Sequence, residues 1–194
     1  MSNAVSLRVV ERKLIVAFNR PEIRNPLSRN VLDQLLRIVS GITDETERLI
    51  FTGTDDVFAS GADLKEIAIV PASRAADFAT AGQELMSRIA SLKVITVAAI
   101  NGLCFGGALD LALSCDRRIA SPGAVFSHPG ANLGIMTGWG GTQRLPRIVG
   151  QGLALEMFFT ARRVTADEAL RIGLVDEVVT DPLRAALHSD LLIL

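Results

Sequence analysis

The stretch VITVAAINGLCFGGALD, residues 94–110, decides the fold. Val94 to Ile100 is uncharged and rich in β-branched residues, which predicts a central, buried strand. Asn101-Gly102 ends that strand, and Gly106-Gly107 opens a helix expected over residues 106–114. The uncharged run, Val94 to Leu109, is shorter than the ~18–20 apolar residues of a membrane span. Its two glycine breaks favour strand, turn and helix.

Working outward, Leu7 to Phe18 reads as a hairpin around Glu11-Arg12-Lys13, and the two prolines from Arg20-Pro21 to Pro26 mark a loop. Ser28 is placed to cap a helix whose apolar positions are Val31, Leu32, Leu35, Leu36 and Val39, with Gly41 closing it. Arg48 to Thr52 reads as a short buried strand, followed by a polar loop over 54–61. Ser73 is expected to cap a helix carrying Phe78, Gly82, Leu85, Ile89 and Leu92 on one face. Downstream, Arg118–Ala120 and Val125–Ser127 read as short strands, and residues 140–150 and 153–160 as helices. Thr165 caps a helix that stops at Gly173, and Val175–Val179 reads as a last strand. Strands alternating with helices predict an α/β protein with mostly parallel pairing. There is no repeat, low-complexity segment or flexible linker. The expectation is one core domain over 1–180 and a residual helical segment over 181–194. That segment begins at Asp181-Pro182, a cap followed by proline at the first helical position. It ends in the apolar Leu191-Leu192-Ile193-Leu194, which suits docking on the body or a partner, or a chain cut before its natural end.

Composition excludes several classes of function. With 194 residues, 49% of them hydrophobic, the chain can bury one sizeable core. A net charge of -1 and a pI of about 6.1 give no electrostatic ground for a nucleic-acid or anionic-membrane partner. Cys104 and Cys115 form neither a disulfide framework nor a metal-ligand pattern, and read as core thiols in a reducing compartment. The N-terminal MSNAVSLRVVERK lacks a signal-peptide pattern. A cytoplasmic protein without metal is expected.

Two glycine-containing segments carry candidate chemistry: Phe58 to Lys65 (FASGADLK) and Asn101 to Asp110 (NGLCFGGALD). Both read as backbone N–H groups presented at a helix N-terminus, where donors are unpaired and the dipole favours negative charge. Two such donors converging on one point make an oxyanion hole. Two glycine turns that permit tight packing explain the same spacing. Neither segment is a GxGxxG or P-loop phosphate cradle.

Five segments, in order and spacing, widen the reading: NRPEIRNPLS (19–28), FASGADLKE (58–66), INGLCFGGALDLALSCD (100–116), LGIMTGWGGTQRLPRIVG (133–150) and ALRIGLVDEVV (169–179). Together they resemble the enoyl-CoA hydratase/isomerase (crotonase) family over essentially the whole chain. The resemblance implies a spiral of stacked β-β-α turns. It also implies an acyl-CoA thioester substrate, and water added, removed or a double bond shifted beside a thioester enolate, as in fatty acid metabolism. No cofactor is implied beyond the coenzyme A of the substrate, and a homo-oligomer, trimer or hexamer, is expected. By position, the N–H groups of Ala62 and Gly107 would hold the thioester oxygen. Ala62, Asp63, Leu64 and Lys65 would line the coenzyme A moiety, with Arg24 near its phosphates.

Three departures from the family pattern stand out. Where the hydratases have a glutamate three residues after the oxyanion glycine, this chain has Asp110, on the same helix face as Gly107; the plain alternative is an early-turn acid favoured by the dipole. Where the second glutamate stands in Q-P-E, the chain has His128-Pro129-Gly130, so the carboxylate is absent. Residues two apart in an extended segment share a face, so His128 is a candidate substitute acid/base; it reads equally as a structural or surface histidine. Gly130 also leaves room for a water or bicarbonate, as in the family's dihydroxynaphthoyl-CoA synthases. The third departure is the C-terminus: family members usually continue into helices that cover the acyl pocket and build a trimer, whereas 181–194 holds one helix of about three turns. Trp139 and Phe158 read as core or acyl-pocket residues. The competing functions are a catalytically impaired acyl-CoA-binding or assembly protein, and a serine hydrolase. The hydrolase would draw its histidine from His128 or His188 without any G-x-S-x-G motif.

Overall fold

The computed structural model describes residues 4–188. In chain order the elements are β1 (Val5–Val10), β2 (Lys13–Phe18), β3 (Pro26–Leu27), α1 (Arg29–Ser40), β4 (Arg48–Thr52), β5 (Val57–Ala59), β6 (Gly61–Ala62), α2 (Leu64–Ile67), α3 (Ala75–Ala90), β7 (Ile95–Ile100), β8 (Leu103–Phe105), α4 (Gly107–Ser114), β9 (Arg117–Ala120), β10 (Val125–Ser127), α5 (Gly141–Val149), α6 (Gln151–Thr160), β11 (Val164–Thr165), α7 (Ala166–Arg171), β12 (Glu177–Val178) and α8 (Pro182–His188). A six-stranded sheet runs β1-β2-β4-β7-β9-β12, a four-stranded sheet runs β11-β10-β8-β5, and β3 pairs with β6.

The order describes a spiral. The pairs β4–β5, β7–β8 and β9–β10 each place their first strand in the large sheet and their second in the smaller one. Helices α3 and α4 then return the chain for the next turn. Like strands stack in parallel, β4 on β7 on β9 and β5 on β8 on β10. The alternation of β-strand side chains divides the burial. Leu49, Phe51, Ala98 and Ile100 join the main core, whereas Ile50, Val97 and Ala99 face the other side, where Ala186 of α8 covers them. The strand Val94–Ile100 read as central does lie in the interior of the six-stranded sheet, and the hairpin and the Ser28-capped helix are as expected. The Ser28 hydroxyl accepts the Val31 N–H at 3.4 Å.

Three sequence readings are corrected. The polar loop over 54–61 contains β5 and part of β6; Val57, Phe58 and Ala59 are buried on both sides. Three residues are too few to show a period. Ser73 does not cap α3. It sits in a 3-10 turn, Ala72–Arg74, and the helix starts beyond it without a side-chain cap. The last strand is only Glu177–Val178, because Leu174 and Val175 turn back onto the Ala169 carbonyl. The apolar tail Leu191–Leu194 lies outside the described residues. Among the described residues no helix is long and apolar enough to cross a membrane.

The spiral is stitched by close backbone approaches. The Leu103 N–H donates to the Asp56 carbonyl at 3.0 Å, and a Cβ on Gly102 would stand 1.7 Å from that oxygen. Gly102→Ala therefore forces the β5–β8 connection apart. A loss of about 1–3 kcal/mol in urea-melt stability is expected, as for other overpacked interiors; an unchanged melt would mean that this contact opens freely.

Candidate active site

Two turns of the spiral meet beside α4. Gly61 has φ +90°, open to glycine at little cost, and a Cβ there would stand 2.6 Å from the Phe105 carbonyl and 2.8 Å from the Gly107 nitrogen. Only a bare α-carbon lets β6 lie this close to the start of α4. Gly106, at φ +53°, turns the chain out of β8, and its N–H is taken by the Ser127 carbonyl at 2.9 Å. Gly107 follows as the first helical residue, with no carbonyl of its own helix to bond. The neighbouring Ala62 lies on β6 and not, as the sequence suggested, at a helix start; α2 begins two residues later at Leu64, capped by the Asp63 carboxylate on the Lys65 N–H at 2.9 Å. Behind this edge, buried Asn25 holds the loop before β3: its side chain accepts the Arg20 N–H and donates to the Val57 and Phe58 carbonyls.

Ala62, Gly106 and Gly107 border a cavity of about 350 Å³. Its walls are mostly apolar, with Ile67, Phe78, Met136 and Phe158 among them, and His128, Gly130, Thr137 and Trp139 complete it. Of the residues expected to line the coenzyme A moiety, Ala62 and Leu64 face the cavity; Asp63, Lys65 and Arg24 do not. Arg24 is exposed, and its carbonyl accepts the Ser60 N–H at 2.9 Å. Trp139 is slotted between two glycines. A Cβ on Gly82 or Gly107 would come within 2.2 or 2.3 Å of the indole, which explains a glycine on the packed face of α3. This bears out Trp139 as a pocket residue.

Asp110 projects from the first turn of α4 but stops short of the cavity surface. It is wholly buried, and a Cβ on Gly141 would meet its Oδ1 at 2.0 Å. Its Oδ2 accepts a hydrogen bond from the Thr137 hydroxyl, and the Trp139 backbone N–H donates to it too. Burial pushes the carboxyl up to about 7, against those hydrogen bonds and the Arg144 charge. Oδ1 has no hydrogen-bond partner among the described residues. It faces Nε2 of His128 at 3.7 Å, beyond hydrogen-bond distance. Both ring nitrogens of His128 also lack a partner among the described residues. The ring packs on Phe158, with centroids 5.0 Å apart. Burial lowers its pKa to about 4. At neutral pH the pair is therefore a neutral imidazole beside a carboxyl near its midpoint, and not an ion pair.

These facts revise the sequence reading. His128 is no surface histidine. Gly130 sits in a 3-10 turn, Pro129–Leu133, so the extended-strand argument for His128 does not apply, although both residues reach the cavity. Gly130 borders the cavity as bare backbone: a Cβ there would stand 2.4 Å from the Ile135 carbonyl oxygen, and the Ile135 N–H donates to the Gly130 carbonyl. A Ser–His–Asp relay has no support among the described residues, since neither ring nitrogen of His128 has a hydrogen-bond partner there and His188 ends α8 on the other face of the large sheet. Thr137 was missed. It contacts a residue 27 positions earlier, and no spacing rule links a loop hydroxyl to a carboxylate that far back. No group of three or more potential metal-ligating residues occurs among the described residues.

Comparison with known proteins gives the same frame. A family profile described as enoyl-CoA hydratase/isomerase matches residues 12–191. The chain is 42% identical over 173 residues to a crotonyl-CoA hydratase of Syntrophomonas wolfei, covering 87% of this chain and 66% of that one. It is 40% identical over 180 residues to a short-chain-enoyl-CoA hydratase of Clostridium acetobutylicum, covering 91% and 69%. The solved structure of DspI from Pseudomonas aeruginosa superposes with a TM-score of 0.91 at 34% identity, covering 96% of this chain and 78% of that one. The chain thus spans about two thirds of the length of these curated relatives.

The buried carboxyl carries a linkage test. It binds its proton more tightly folded than unfolded, so its contribution to stability is complete below the unfolded value of 3.8 and is lost as pH rises to about 7. Asp110→Asn removes that loss. The unfolding free energy of the variant minus that of the wild type should grow by a few kcal/mol from about pH 4.5 to about pH 8 in urea melts; a difference flat in pH would place an ordinary carboxyl at this position.

Proposed function

Because this chain belongs to the enoyl-CoA hydratase/isomerase family, we propose that it binds an acyl-CoA thioester and adds or removes water beside the thioester carbonyl, with a double-bond shift as the related activity. The observation that carries this reading is the close approach of Gly61 to the Gly107 amide, which brings the Ala62 and Gly107 N–H groups to one edge of an apolar cavity. Thioester chemistry at the α-carbon moves negative charge onto the carbonyl oxygen. Two fixed donors there lower the barrier, each by about 3–4 kcal/mol.

The acid/base work falls to His128 and Asp110. Their facing, unpartnered Nε2 and Oδ1 suit a bridging water. As that water attacks the β-carbon, its proton passes to the pair; the same proton then returns to the α-carbon as the enolate collapses. One pair thereby does in sequence what two carboxylates divide in the hydratases this chain resembles. Accepting the proton requires ionised Asp110, so kcat/KM should rise with pH through about 7. Nothing in this sequence of steps calls for a cofactor beyond the coenzyme A of the substrate.

The proposal includes a homo-oligomer, a trimer or hexamer. Exposed Leu155 and Phe159 on α6, with Met136 beside them along one groove, suit a second copy. It also includes a cytoplasmic setting, in keeping with two buried, unpaired cysteines. A second reading, acyl-CoA binding without efficient turnover, is favoured by one observation: Asp110 lies behind the cavity wall.

Loss of enoyl-thioester ultraviolet absorbance with crotonyl-CoA separates the two. Turnover that falls about 10²–10⁴-fold in both Asp110→Ala and His128→Ala, and is abolished in Gly107→Pro, which removes a donor N–H, supports the hydratase. Tight binding of acyl-CoA with no turnover of any enoyl-CoA supports the second reading and sinks the first.

A further inference from the structure

Three buried polar atoms have no hydrogen-bond partner among the described residues where cavity-lining His128 meets Asp110 behind the wall: Oδ1 of Asp110 and both ring nitrogens of His128. The fourth polar atom there, Oδ2 of Asp110, is held by the Thr137 hydroxyl. Thr137 also lines the cavity. Among the described cavity-lining side chains, only that of Thr137, on the loop between Gly134 and Gly138, donates a hydrogen bond to Asp110. We propose that Thr137 is a positioning residue: by donating to Oδ2 from the cavity wall it fixes the rotation of the Asp110 carboxyl, so that the bare Oδ1 faces Nε2 of His128 across the place where a water or substrate atom would bridge them. The inference rests on the reading of Asp110 and His128 as the acid/base pair.

A fixed donor on one oxygen holds the plane of the carboxyl against rotation about its last bond, and with it the direction in which the other oxygen points. The Trp139 N–H comes from the same short segment, so the wall residues 137 and 139 both hold Asp110 from one side. The other ionisable groups near the carboxyl are few. His128 faces it from the end of β10, Arg144 acts on it from α5, and the Cys104 thiol on β8 feels its charge. A hydroxyl that donates to a carboxylate stabilises the ionised form. Thr137 therefore acts against burial, and its loss should push the titration of Asp110 upward.

The test compares wild type, Thr137→Val and Thr137→Ser. Val keeps the shape and removes the donor; Ser restores it and drops only the methyl group. In free protein labelled with ¹³C at aspartate, the Asp110 carboxyl is titrated by NMR. The expected result is an upward move of about one pH unit in Thr137→Val and a return towards wild type in Thr137→Ser. The rising limb of the crotonyl-CoA kcat/KM profile should move by the same amount, with KM little changed. An Asp110 titration that stays put in folded Thr137→Val overturns the inference, as does a Ser variant that behaves like Val. A titration that moves as expected while no variant hydrates any enoyl-CoA keeps Thr137 as the residue that orients the carboxyl, and overturns the hydratase reading instead.

Discussion

The site depends on the contact of one bare α-carbon with one amide. Gly61 lies so close to Gly107 that a single methyl group would collide with the Gly107 nitrogen and the Phe105 carbonyl. That contact joins β6, which belongs to one turn of the spiral, to α4, which belongs to the next. It sets the two donors of the cavity edge, and it requires the strand pairing of β3 with β6 and the Asn25 loop to hold β6 in place. Gly102 against Asp56 and Gly53 against Val57 repeat the device nearer the sheets. At Gly61 and Gly102 the absent side chain lets the backbone of one turn meet the backbone of the next.

Such closeness shapes the chemistry as well. Trp139 fills the space that Gly82 and Gly107 leave open, and so closes one wall of the cavity. With the indole in place, Asp110 is cut off from solvent, and water no longer stabilises its charge. Burial alone then brings a carboxyl to the neutral range and keeps the adjacent imidazole uncharged. Two groups whose ordinary values lie on opposite sides of pH 5.5 are thus inverted by burial: the acid holds its proton where the base does not. An inverted pair of this kind, with Oδ1 of the acid and both nitrogens of the base lacking hydrogen-bond partners among the described residues, is a candidate functional site.

Stability and function pull in different directions here. The six-stranded sheet is covered on both faces, by the main core and by α8, and its hydrogen bonds are regular. Where His128 meets Asp110 behind the cavity wall, three polar atoms have no partner among the described residues. Each carries a desolvation cost that only a bound water or ligand would offset. A fold with a sizeable apolar core can sustain that cost in one place because the rest of the interior is closely packed.

Much of this was legible in residues 94–110. A β-branched uncharged run, an Asn-Gly break and a Gly-Gly helix start have local causes, so they announced strand, turn and helix without reference to anything distant. The amphipathic helix from Ser28 and the hairpin at Glu11 were legible for the same reason. Resemblance in five segments added the family, and with it the positions Ala62, Gly107 and Asp110. What sequence alone could not settle was everything held by contact between distant positions. β5 is too short to carry a period and becomes a strand only because β8 lies beside it. Gly130 reads in the sequence as a missing carboxylate, and only the fold sets the Ile135 carbonyl where a side chain at that position would begin. Asp110 shared a helix face with Gly107, yet only the packed loop from Ile135 to Gly141 determined that it would be sealed behind Thr137 and Trp139, beside His128. Local propensity reads along the chain, whereas burial and the approach of one backbone to another depend on which distant residues the spiral stacks together.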